Sequence, residues 1–221
     1  ATGIEVAGIL SEMKKFVLPN DYPDMSSSLM HIYLIEAGPR LLAGMSEESS
    51  AHAEQFLREM GVNILLNKRV VDYRDHKVVL EDGTEIATRT FIWVSGVTGV
   101  TIGNLDASLI GRGGRIKVDS FNRVEGMNNV FAIGDQCIQL ADENYPNGHP
   151  QLAQVAIQQG ELLAKNLIRM EKGQEMKPFH YRNLGSMATV GRNRAVAEFS
   201  KVKMQGWFAW VMWLVVHLRS I

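Results

Sequence analysis

The residues whose types and spacing could do chemistry cluster between Val130 and Gly160. Val130-Phe131-Ala132-Ile133 is an apolar run without alternation, the pattern of a short strand buried on both faces, and Gly134-Asp135 ends it. A glycine there lets backbone come close to a ligand. The aspartate sets a carboxylate at the carboxyl end of a strand, where open α/β sheets bind ligands. After a polar loop, His149-Pro150 opens a helical stretch, proline being suited to a first helical turn. Ala153, Ala156 and Gly160 fall at i, i+3 and i+7, so one face is small enough for a flat group to pack on it. Gln154 and Gln158, at i and i+4, share another face. An ordinary strand-ending turn and a core helix with two polar residues would read the same way.

The order FAIGD then AQVAIQ resembles the flavin- and quinone-contacting segments of the type II NADH:quinone oxidoreductases, non-proton-pumping flavoproteins of the respiratory chain with two dinucleotide-binding domains. Gly185–Val196, GSMATVGRNRAV, resembles a GSxAxxGRxxAV stretch of the same family that forms strands near its membrane-facing end. The resemblance implies FAD and NADH as cofactors and a quinone as electron acceptor. It places Gly134, Asp135, Gln151, Leu152 and Ala153 at the flavin, and Gln154 and Gln158 at the quinone. It makes Gly3 the last glycine of a GxGxxG turn, whose earlier glycines and strand do not appear in the sequence. It sets Ser95-Gly96 near the nicotinamide and Glu5 where an acid could relay protons; a plain helix-face carboxylate is the other reading of Glu5.

His31–Glu36 reads as a strand ending in a carboxylate. In a dinucleotide-binding domain such an acid accepts from the adenosine ribose 2′-hydroxyl and repels a 2′-phosphate, which favours NADH over NADPH. Arg40 stands close by, and an arginine there can welcome a phosphate. The distance from Gly3 to Glu36 exceeds the usual spacing of about 20 residues, which an excursion over Leu18–Met30 explains.

The elements around these residues follow from periodicity. Val6, Ile9, Leu10 and Met13 form a helical stripe expected to pack on a sheet. Ser46 should cap a helix, with Glu47 and Glu48 in its first turn, a stripe of Ala53, Phe56, Leu57 and Met60, and Gly61 at its end. Asn63–Leu66 and Phe91–Val94 read as buried strands. Val70–Tyr73, Lys77–Glu81 and Glu85–Thr88 read as an antiparallel meander, the last two joined at Asp82-Gly83. RGGR at Arg112–Arg115 follows no strand and opens no helix, so it reads as a hinge and not as a phosphate loop. Glu171–Lys177 is a charged connector.

Composition narrows the classes. A net charge of −1 argues against a nucleic-acid partner, and the single Cys137, expected buried, excludes a disulfide framework and a CxxC redox or metal pair. No run is long enough to span a membrane. Trp207, Trp210, Val211, Leu214 and Leu218 line one face of a terminal helix, widened by Met212, Trp213 and Val215. Its tryptophans and flanking lysines fit a helix lying on a membrane surface through Trp207–Leu218, with Arg192 and Arg194 near headgroups. A core or dimer-packing helix is the alternative, so a homodimer stays open.

The expectation is an α/β fold: a Rossmann-like NAD-binding domain with a β-meander insertion over 1–112, the C-terminal part of a second, FAD-binding α/β domain over 113–180, and a membrane-associated region with an amphipathic C-terminal helix over 181–221. The resemblance implies the C-terminal portion of a longer peripheral enzyme on the cytoplasmic side of the inner (plasma) membrane. In it NADH docks on the first domain, hydride passes to the flavin, and quinone takes the electrons. Alone, the 221 residues are expected to bind FAD poorly and to be inactive. A soluble FAD/NAD-dependent reductase and a non-catalytic nucleotide-binding module are the alternatives.

Overall fold

A computed structural model describes residues 1–100, 102–199 and 202–220. The chain divides into two compact units, Ala1–Ser95 with Gly185–Ile221, and Gly96–Leu184. The boundaries expected at 112 and 180 lie inside the second unit of this division.

The first unit opens with α1 (Thr2–Glu12), which runs through a π-helical turn at Met13–Val17 into α2 (Leu18–Asp21). The excursion expected from Leu18 therefore begins as helix, with Pro19 in its first turn, and only then leaves the axis; Tyr22 and Leu29 along it are exposed. Strands β1 (Ile32–Ile35) and β2 (Val62–Leu65) pair in parallel, Ile32 opposite Val62. Helix α3 (Glu47–Glu59) connects them. Ser46 caps it by accepting from the Ser49 amide at 3.3 Å, and Ala53 and Leu57 are fully buried on its inner face. Gly61, at φ +83°, turns the chain out of the helix.

The meander forms as expected: β3 (Val70–Arg74), β4 (Lys77–Leu80) and β5 (Glu85–Ala87) are antiparallel. Phe91–Val94 does not become the expected buried strand. It forms no regular element, Ile92 and Trp93 are exposed, and Phe91 stacks on Tyr73 at 5.0 Å. Among the described residues no strand pairs with it, so its backbone has no ladder to join.

In the second unit β6 (Ile116–Val118) pairs in parallel with β7 (Cys137–Gln139). The strand expected at Val130–Ile133 is also corrected. That run makes one antiparallel bridge, Arg123 to Phe131, and Val130 is 47% exposed, because pairing on a single side leaves its outer face uncovered. Helix α4 (Ala153–Glu171) follows, and the Asn166 amide near its end holds both backbone groups of Lys177, at 2.8 and 2.9 Å. RGGR forms a tight turn within this unit, where Gly99 donates to Gly113 and Arg115 is buried.

The chain then returns to the first unit as β8 (Ser186–Gly191), β9 (Arg194–Phe199) and β10 (Val202–Gln205), antiparallel in the order β10-β9-β8, and α5 (Gly206–Ser220). This return corrects the α1 stripe. The buried face of α1 is Ile4, Ala7, Gly8 and Ser11, while Ile9 and Met13 are exposed. A Cβ on Gly8 would stand 2.1 Å from the Val190 carbonyl oxygen, so α1 lies against β8 backbone to backbone. Beside Ile4, the small residues Ala7, Gly8 and Ser11 therefore face inward.

The terminal helix docks through Ala209, fully buried against Ala195 and Ala197. Trp210, Val211 and Leu214 are half-buried, but Trp207 and Leu218 of the expected face are exposed, together with Phe208 and Val215. Its two faces differ in packing more than in polarity.

The contact at Gly8 sets an expectation for stability. Gly8→Ala should cost about 3 kcal/mol, since backbone must shift to admit the methyl. Gly44→Ala, with open space around it, should change stability little. Chemical denaturation of both variants checks the contrast, and equal midpoints would refute it.

Candidate functional site

In the second unit the candidate residues gather where the Gly134 turn meets the start of α4. Gly134 has φ +66°, a left-handed conformation that glycine adopts without strain, and opens a short 3₁₀ turn over Gly134–Gln136. Its N–H donates to Gln159 Oε1 at 2.7 Å. Gln159 is 1% exposed, and the same oxygen lies 3.7 Å from Cys137 Sγ. Burial pushes the Cys137 thiol above its ordinary range, and the Gln159 contact offsets this in part. The thiol is therefore a packed apolar group with little thiolate character.

The small face of α4 is filled more than expected. A Cβ on Gly134 would meet Ala156 at 3.2 Å, and one on Gly160 would meet Ile133 at 3.7 Å. Ala156 and Gly160 thus seat the helix on the turn, and Ala153 remains exposed at its head. No side chain caps α4; the Val155 and Ala156 amides return to the carbonyl of Leu152, itself exposed. Gln151 donates to the Asp135 carbonyl at 3.1 Å, and the Asp135 side chain is exposed. A helix start whose N-cap residue Leu152 supplies no side-chain cap fits a group that gains negative charge, and the exposed Asp135 carboxylate fits a group that donates hydrogen bonds.

The two candidate quinone residues hold backbone. Gln158 donates to the Arg182 carbonyl at 2.9 Å and accepts from its amide at 3.0 Å. Gln154 accepts from the Leu184 amide at 3.1 Å. Together they fasten the 182–184 segment along α4.

Behind this loop lies a buried pair. His149 Nε2 stands 3.0 Å from Asp142 Oδ2, both residues nearly inaccessible, and Tyr145, Phe179 and Tyr181 surround the imidazole. The His149 hydrogen bond holds the Asp142 carboxyl below the usual carboxylate range. Arg115 donates to the His149 carbonyl at 3.1 Å. Neither this pair nor Gln159 showed in the sequence; the pair spans an irregular loop and Gln159 bonds a residue 25 positions away, and neither carries a periodic spacing.

In the first unit Glu36 directly follows β1, with its amide on the Leu65 carbonyl. One carboxylate oxygen, Oε1, accepts from Gly38 N at 2.8 Å. Arg40 is folded onto its own turn and donates to three carbonyls, those of Leu42, Ala43 and Met45. Gly3 lies over β1: a Cβ there would meet Leu34 at 3.3 Å and Val94 at 3.2 Å. Glu5 is half-buried, with Thr189 Oγ1 at 3.5 Å. Arg194 pairs with Glu59 at 3.1 Å and covers the Phe56 ring, so its charge is neutralised within the fold. Ser95 ends the first unit and Gly96, at φ +110°, begins the second; both are exposed. Glu5 and Gln158 therefore belong to different units.

Residues 1–160 match the pyridine nucleotide-disulphide oxidoreductases, and the chain belongs to that family. Within it the chain is similar to the type II NADH:quinone oxidoreductases, as the resemblance of its motifs implied. It is 35% identical over 98% of its length to the one called NdhA of Mycobacterium tuberculosis, and spans 47% of that protein. It is 31% identical to the internal alternative NAD(P)H-ubiquinone oxidoreductase A1 of Arabidopsis thaliana, covering all of this chain and 46% of that one. The chain thus spans about half the length of the curated relatives it matches. Among solved structures, NDH2 of Plasmodium falciparum in complex with NADH superposes with a TM-score of 0.87 at 20% identity, over 99% of this chain and 60% of that one. The sulfide:quinone oxidoreductase of Aquifex aeolicus superposes with a TM-score of 0.70 at 16% identity, over 93% and 51%. These likenesses establish the mixed α/β fold.

The geometry separates two neighbouring glutamines. Gln159→Leu strands the Gly134 amide and should cost about 1–3 kcal/mol, whereas Gln158→Leu, at a half-exposed position, should cost less than about 1 kcal/mol. Denaturation midpoints check this.

Proposed function

We propose that this chain forms the NADH- and quinone-handling portion of a flavin-dependent NADH:quinone oxidoreductase seated on a membrane surface. The observation that carries the reading is the Gly134 turn locked onto the uncapped start of α4, in a chain whose relatives bear that name. FAD supplies the two-electron chemistry that links a hydride donor to a quinone.

The residues present fit these ligands. Glu36 keeps Oε1 on Gly38 and leaves Oε2 to accept a ribose 2′-hydroxyl. Gly3 and Ser95 belong to the same nucleotide site in this reading. Gly134, Asp135, Gln151, Leu152 and Ala153 would hold the flavin: the Gly134 turn seats the start of α4, and the α4 dipole favours negative charge at its head. Gln154 and Gln158 hold the 182–184 segment as a wall for the quinone, and the Gln158 amide is the polar edge that the quinone meets. In this reading Glu5, half-buried beside Thr189, would be the acid that relays protons.

The exposed apolar residues of α5 supply the membrane contact. No helix among the described residues is long and apolar enough to cross a membrane, so the attachment proposed is peripheral, on the cytoplasmic side. A homodimer would use the same face, and a vesicle assay tells the two apart. Full-length protein should float with anionic vesicles, and Trp207→Ser with Phe208→Ser should abolish flotation; flotation unaffected by these changes would refute the assignment.

The activity itself is tested in the full-length, FAD-loaded protein. Gln158→Leu should lower quinone reduction about tenfold while NADH still bleaches the flavin. Unchanged quinone turnover would remove the acceptor site from α4.

A further inference from the structure

Arg40 follows closely on Glu36, and its side chain does not reach outward. Nη1 donates to the carbonyls of Met45 at 2.8 Å and Leu42 at 3.3 Å, and Nη2 to that of Ala43 at 2.9 Å. The turn bends its own carbonyls onto one guanidinium. Leu42 sits at φ +49°, a left-handed conformation unfavourable for a leucine, and it persists where surrounding bonds over-determine the backbone. Leu41 and Met45 are buried in the core beneath, and Ser50 Oγ donates to the Leu41 carbonyl at 2.6 Å. On the other side the turn is tied to the end of β2: Asn67 N donates to the Gly38 carbonyl, and Lys68 N to that of Glu36. Gly38, whose amide orients the Glu36 carboxylate, lies between the two sets of ties.

We propose that Arg40 is a positioning residue for the nucleotide end of this site. It fixes the 38–45 turn that presents the Glu36 carboxylate, and it keeps its terminal N–H groups away from the ligand. The site therefore selects a dinucleotide with a free ribose 2′-hydroxyl both by the acid it presents and by the base it withholds. The inference rests on the nucleotide reading of Glu36 given above. A planar guanidinium suits the role, because one ammonium does not offer a fork of donors to carbonyls on several sides.

The experiment measures dissociation constants of NADH and NADPH for the full-length protein by calorimetry, with ADP-ribose and 2′-phospho-ADP-ribose as competing fragments. Arg40→Gln should weaken NADH about tenfold and narrow the preference for NADH over NADPH, because the acid is no longer held. Arg40→Lys should behave in the same way, and it serves where Arg40→Gln does not fold. In a Glu36→Gln background the Arg40→Gln change should add little, since the two residues act as one unit. NADH binding unchanged with NADPH weakened would make Arg40 a phosphate ligand and overturn the proposal. Equal weakening of both nucleotides, with the preference intact, would reduce Arg40 to a general stabiliser and overturn it as well. A wild-type protein that binds neither nucleotide would instead overturn the nucleotide reading of the site, and this inference with it.

Discussion

The first unit depends on one close approach, that of α1 to β8 at Gly8. With no side chain at that position, helix and strand meet at backbone distance. The contact brings a hairpin from the far end of the chain onto its first helix. Further links depend on that placement. The Glu198 carboxylate on β9 accepts from the Ser46 amide at 3.0 Å, at the start of α3. Arg194 on the same strand pairs with Glu59 at the other end of α3. Helices α1 and α3 are thereby packed against β1 and β2 and also against β8 and β9. The shared core runs from Ile4 and Ile32 through Leu57 to Val190 and Val196.

The second unit is held differently. Its ladder is short, and much of its backbone runs in loops whose amides and carbonyls need partners. Buried polar side chains supply them. Gln159 satisfies Gly134, Asn166 satisfies Lys177, and Arg115 satisfies His149. Such groups contribute strongly when paired and cost strongly when a partner is lost, so they specify one conformation of the loops they hold. The turn-bearing loop of the candidate site is therefore rigid for the same reason that it is irregular.

Elements with a strong local signal were legible in the sequence. Ser46 with Glu47 and Glu48 marked the start of α3, Asp82-Gly83 marked a hairpin, and the run ending at Glu36 marked a strand. Elements decided by distant partners were not. Val130–Ile133 and Phe91–Val94 have the composition of buried strands, but composition does not supply a neighbouring strand, and both stay partly exposed. The inner face of α1 is not legible from the bulk of its side chains. There the limiting quantity is the distance to β8, and small residues win. At the site, motif spacing singled out Gln154 and Gln158 but passed over Gln159. A fully buried glutamine inside a helix has no periodic signature that separates it from an exposed one.

The pairing of Gln158 bears on the proposed acceptor site. The side-chain amide of Gln158 is paired at both ends with one residue, Arg182. An amide so committed reaches a substrate only by giving up a bond that helps to place the wall. A Gln158 substitution therefore acts on two things at once, the polar edge and the position of the 182–184 segment. Gln154 holds that segment separately, at Leu184. The segment thus has two independent anchors on α4, one helical turn apart, and either alone keeps it near the helix. Chemistry that needs only the wall survives the loss of one anchor, whereas chemistry that needs the Gln158 amide does not.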